Sequence, residues 1–83
     1  MTRIIGDTIR RAGYKVKRGA VYFHYKDRAQ FYRVERLGFN VENEKVMVIY
    51  TSYVGEEEIT WVRSLDSWLE LVDGNEPRFQ RIE

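Results

Sequence analysis

The chain has no cysteine, one histidine, one proline and no long apolar run, and each shortage removes a class of function. Without cysteine there is no disulfide, no thiolate nucleophile and no cysteine metal site. One histidine leaves no imidazole cluster for a transition metal. No apolar stretch approaches the roughly 20 residues that span a bilayer. The opening MTRIIGDTIRRAG lacks the apolar core and cleavage site of a signal peptide. A cytoplasmic protein is expected, with no cofactor and no membrane partner. Glycine-rich phosphate loops, nucleophile elbows and metal-ligand spacings are also missing. Glu56-Glu57-Glu58 reads as solvated charge in a turn, and nothing in the spacing recommends His24 with Ser52 or Ser64 as base and nucleophile. The expectation is a non-catalytic domain.

What the chain does have is rings. Its 83 residues are 43% hydrophobic and 14% aromatic, which makes a single domain, 1–83, with a thin core. A domain of this size buries only about 60 to 65% of the surface its unfolded chain exposes, so large aromatics must carry much of the stabilisation. They are densest in YFHYKDRAQFYRV, residues 22 to 34, which also contains the histidine.

Charge is unevenly spread. Residues 1 to 36 hold ten Lys/Arg against three Asp/Glu, and residues 37 to 83 hold four against ten, although the net charge is only +1. Such asymmetry fits a basic face for an anion or nucleic acid. It equally fits two halves that pair across a sheet and cancel.

Residues 1–18 form a basic extension. Ile4, Ile5, Thr8, Ile9 and Ala12 share one helical face, with Arg3, Asp7, Arg10 and Arg11 on the other; Thr2 would cap and Gly13 would end the helix. Gly6 weakens that helix, so RIIG is alternatively extended. From Tyr14 the period becomes two. Strands are expected over 14–16, 21–26, 31–37, 46–50, 59–63 and 78–82, with residues 27–30 a hairpin connection. VMVIY, apolar on both parities, reads as a strand covered on both faces. Ser64 to Leu71 suits one helical turn, and DGNEP is the strongest turn signal. The fold class is mainly β: a small five-stranded antiparallel SH3-like barrel or strongly bent sheet with an N-terminal helix and a short helical turn, or an open antiparallel sheet covered by that helix.

The segments GAVYFHYK, FYRV, VIYTSY, TWVR and DGNEPRF, in that order, resemble the bacterial family catalogued as domain of unknown function 1653. The resemblance runs from Gly19 to Ile82 and leaves residues 1–18 outside. Asp27 stands where the family shows Gly, Ser64 where it shows Pro, and the turn between Tyr53 and Trp61 is longer. The resemblance implies an architecture and candidate positions for 19–82, and no activity.

Alternation places Tyr22, His24 and Lys26 on one side of a strand, with Val21, Phe23 and Tyr25, the expected core face, on the other. Trp61 and Arg63 likewise share a side. If these patches meet, Arg63 supplies a planar fork for carboxylate or phosphate, Lys26 a point charge, His24 a donor or acceptor, and Trp61 with Tyr50 or Tyr53 a flat surface. That would hold an anionic planar ligand: a nucleotide-like molecule, a modified base or a short peptide. His24→Ala or Arg63→Ala would then abolish binding at little cost in stability. Structural readings stand beside this one, with His24 a hydrogen-bonded surface residue, Trp61 a core ring, Arg63 an ion-pair partner and the tyrosines cross-strand packing. A second hypothesis is nucleic-acid binding through Arg3, Arg10, Arg11, Lys15, Lys17 and Arg18. A third is a protein-interaction adaptor, which exposed Trp68 or Phe79 would favour.

Overall fold

A computed structural model describes residues 2–82, with side chains from residue 4 onward. Helix α1 (Thr2–Ala12) is followed by β1 (Val21–His24), β2 (Asp27–Asn40), β3 (Lys45–Val54), β4 (Glu57–Ser64), helix α2 (Leu65–Leu69) and the short strands β5 (Leu71–Val72), β6 (Glu76–Pro77) and β7 (Phe79–Arg81). The main sheet is five-stranded and antiparallel, in the order β4-β3-β2-β1-β7, while β5 and β6 form a separate two-stranded ribbon. The sheet is not closed into a barrel: β4 and β7 are its two edges and do not pair.

α1 forms as its apolar spacing predicts and packs on β2 and β3. A Cβ at Gly6 would meet only open space, so packing does not require glycine there. At the exit, Gly13 N–H donates to Ile9 O and Val16 N–H to Ala12 O. Residues 14–16 are therefore turns, not the expected strand: their backbone groups bond back to the helix, while Val16 is fully buried and Tyr14 is 86% exposed. The first hairpin turn lies at residues 25 and 26, so Asp27 to Gln30, expected as a connection, already belong to β2. The side chain of Asp27 accepts the Ala29 N–H at 3.0 Å.

The core consists of Val16, Ala20, Tyr22, Val34, Val48, Tyr50, Trp68 and Phe79, with Tyr32, Leu37 and Leu65 packed against it. α2 exists to deliver Trp68. Ser64 caps it by accepting the Ser67 N–H at 3.2 Å. The Trp68 ring then stacks flat on Phe79, centroids 3.8 Å apart, and meets Tyr22 and Tyr50 edge-on at 5.2 and 4.9 Å. Each such pair contributes about 0.5 to 1.5 kcal/mol beyond the area it buries.

The assignment of faces on β1 is reversed from the expectation. Tyr22 points into the core, 6% exposed, and its hydroxyl accepts the Lys17 N–H at 3.4 Å, so its polar tip is satisfied. Phe23 lies half-buried on the other face under the Arg28 guanidinium, 5.0 Å from the ring centroid. On β3, Val46, Val48 and Tyr50 are buried and Met47 and Ile49 half-buried, as a doubly apolar strand predicts. The turn before it places Glu44 at φ 56, and the Asp73-Gly74-Asn75 turn has φ of 29, 80 and 73.

Candidate functional site

The concave face of the sheet carries a cavity of about 180 Å³ to which every strand of the sheet contributes: His24 from β1, Tyr32 from β2, Tyr50 from β3, Trp61 and Arg63 from β4, and Phe79 from β7. Register explains the meeting. Tyr50 lies opposite both Val34 and Trp61, Val48 opposite Arg63, and His24 opposite Phe79, which sets all of these on one face. Irregularities at Phe23/His24 and Val34/Arg36 interrupt the ladder, and bulges of this kind bend a sheet.

Arg63 is held in place. Its Nε donates to the Tyr50 hydroxyl at 3.3 Å and one terminal nitrogen to Ser67 Oγ at 2.9 Å, while the guanidinium carbon sits 5.4 Å from the Phe79 centroid. Two of its five N–H groups are thereby used, and no hydrogen bond from the other three is made among the described residues. Trp61 is fixed by an Nε1–H donated to Ser52 Oγ at 2.8 Å, and remains 39% exposed.

His24 Nδ1 accepts the Lys26 N–H at 3.2 Å, so the neutral ring carries its proton on Nε2. Burial, followed by the charges of Arg63, Arg78 and Lys26, holds its pKa below the ordinary 6.5. Burial likewise raises the pKa of Tyr32, with Tyr50 and Asp27 adding and Arg63 opposing. The lining therefore combines a guanidinium, a neutral imidazole, phenols and apolar ring faces. Among the described residues it is lined by no carboxylate.

His24, Tyr50, Trp61 and Arg63 thus come together as the first hypothesis requires. The other residues named with them do not line this cavity. Tyr22 is a core residue. Lys26 sits in the turn beyond β1, its Nζ 5.8 Å from the Tyr25 centroid, and acts on the cavity through His24, by its backbone N–H and its charge. Tyr53 is on the opposite face, 60% exposed beside Phe31 and Glu58. Tyr32 and Phe79 were missed, although Tyr32 shares the parity of buried Val34 and was findable on that ground.

Of the basic set, the side chain of Arg3 lies outside the described residues, as does that of the Thr2 cap. Arg10 pairs with Asp7 at 2.9 Å, Arg11 is exposed on α1, and Lys15, Lys17 and Arg18 lie on the segment joining α1 to β1. Cancellation between the two halves is slight: among the described residues only Arg28 and Glu76, at 3.3 Å, join them as an ion pair. Among those residues no His, Asp and Glu side chains cluster as metal ligands, and no helix is long and apolar enough to cross a membrane.

The model of the family described as "Protein of unknown function (DUF1653)" matches residues 20–81. The chain belongs to that family. All six residues lining the cavity fall inside the part that defines DUF1653, whereas α1 and most of the basic segment precede it. No curated protein and no solved structure matches the chain.

Proposed function

We propose that this DUF1653 domain is a non-catalytic binding module whose concave-face cavity receives the anionic or acceptor-bearing end of a planar ligand: a nucleotide-like molecule, a modified base or a short peptide. The observation that carries this reading is the convergence of His24, Trp61 and Arg63 on one carboxylate-free cavity. Arg63 offers a preorganised fork to a carboxylate, phosphate or base edge, His24 Nε2–H a further donor, and Trp61 a flat apolar surface. A cationic ligand is disfavoured, because the rings that would cage it surround a guanidinium.

Size narrows the choice. Complete small-molecule sites typically occupy about 300 to 1,000 Å³, so a cavity of about 180 Å³ takes one end of a ligand and leaves the rest outside. A base, or a chain-terminal carboxylate with its side chain, suits that volume.

The test is a two-dimensional amide and side-chain NMR titration with nucleobases, nucleoside monophosphates and short peptides bearing a free carboxylate, at low and moderate salt. Saturable shifts at His24, the Trp61 indole and Arg63 Nε, persisting in salt and lost in His24→Ala, are expected. Absence of shifts at these groups across the panel overturns the reading. The adaptor alternative loses the feature that would favour it, since Trp68 and Phe79 are 3% and 7% exposed.

A further inference from the structure

A cleft of about 700 Å³ lies between the α1–β1 segment and β7. Its walls include Tyr14, Lys15 and Lys17 on one side, and Gln80 and Arg81 on the other. A second concavity, about 320 Å³, adjoins it through the shared residues Lys17 and Arg81 and adds Arg18. No carboxylate of the described residues lines either one.

Three observations give this groove a chemistry. Lys15 and Lys17 are exposed and make no ion pair among the described residues. Glu35, the carboxylate on which Arg18 acts electrostatically, is already occupied by Arg33 at 3.0 Å and Thr51 at 2.7 Å. The Tyr14 ring is 86% exposed at the cleft wall, beside the cations and not within the core. A groove of cations with an aromatic platform at its margin is how proteins hold single strands: cations follow the phosphates and a ring stacks on an unpaired base.

We propose that this groove binds the backbone of a single-stranded nucleic acid, with Lys15, Lys17 and Arg18 on phosphates and Tyr14 stacked on a base. Glu56, Glu57 and Glu58, at the β3–β4 turn and the start of β4, line neither concavity. A duplex is disfavoured because its bases are not available to Tyr14. The groove shares the Phe79 ring with the concave-face cavity but none of its cations, and neither proposal depends on the other.

Fluorescence anisotropy with labelled twelve-nucleotide oligo(dT) and oligo(U), and a duplex of equal length, tests it. Three phosphate contacts on a single strand predict a log–log salt slope of about −2.1, which is about a 20-fold loss of affinity between 50 and 200 mM salt. Lys15→Gln and Lys17→Gln each reduce that slope by about 0.7. Tyr14→Ala weakens binding by about fivefold or more with the slope unchanged. All three positions are exposed, and a thermal melt verifies folding of each variant. Absence of binding at 50 mM salt, equal binding of the duplex, or wild-type slopes in both lysine variants overturns the proposal.

Discussion

His24 and Arg63 stand on β1 and β4, strands that never pair, and still line the same cavity. Between them lie Tyr32 and Tyr50, one from each intervening strand, whose rings meet edge-on at 5.7 Å. The candidate site is thus a product of the whole sheet, and its parts differ in how much of the fold they also support.

Arg63 does both jobs. Because it donates to Tyr50 and Ser67, Arg63→Ala removes partners from part-buried hydroxyls and is expected to cost about 1 to 3 kcal/mol. This revises the sequence-based expectation of a small cost. Arg63→Lys keeps the charge and loses the fork, so ligand affinity should fall at least about tenfold with a smaller drop in melting temperature. Melts and NMR titrations on both variants check this; wild-type affinity in Arg63→Lys means the fork is not used.

Tyr22 separates packing from binding. Tyr22→Ala deletes a ring packed edge-on against Trp68 and should cost about 3 to 5 kcal/mol. That is a large share of the about 5 to 15 kcal/mol total of a small domain. Tyr22→Phe, which loses only the acceptor for Lys17 N–H, should cost about 1 kcal/mol. Urea unfolding of both measures the difference, and a small loss for Tyr22→Ala contradicts the core assignment.

His24 makes stability and ligand affinity respond oppositely to acid. Its folded pKa lies below 6.5, so the unfolded chain binds the proton more readily and stability falls as pH drops from about 6.5 through the folded value. Protonation adds positive charge to the cavity, so affinity for an anion should rise over the same window. Melting temperature and anion affinity measured between pH 7.5 and 5, with His24→Asn as control, should show both trends. Glu35, whose pKa is lowered chiefly by its hydrogen bonds from Thr51 and Arg33, loses its stabilising contribution only at lower pH, below 4.5. A wild-type profile unchanged in His24→Asn would exclude His24 as the group responsible.

Glu44 occupies a left-handed backbone conformation, φ 56, in the turn between β2 and β3. An L side chain costs about 1 to 2 kcal/mol there, and glycine escapes that cost while adding freedom to the unfolded chain. Glu44→Gly should therefore raise the melting temperature slightly, by a few degrees at most; a fall would show that the glutamate side chain contributes more than its backbone costs.

Much of the fold was legible. The α1 spacing, the Gly13 stop, the doubly apolar β3 and the Asp73-Gly74-Asn75 turn all rest on local chemistry that residues carry with them. The orientation of β1 was not legible, because Tyr22 and Phe23 are both large rings and alternation says which residues share a face without saying which face turns inward. The irregularities at Phe23/His24 and Val34/Arg36 were hidden for a related reason: they leave no signature in composition. Whether the sheet closes depends on how β4 and β7 are placed, which no segment encodes alone. Tyr53, however, was readable. It lies an odd number of residues from Tyr50 on the same strand, and parity alone puts it on the other face.

Phe79 lines the concave-face cavity and also the cleft beside β7, with its second side stacked on Trp68. One aromatic ring is therefore a shared partition between two compartments. A guest that tilted it in either compartment would change the room in the other, and the flat contact with Trp68 resists such tilting. Two ligands binding together would consequently sense each other through a single side chain, with the Trp68 stack setting how stiff that communication is.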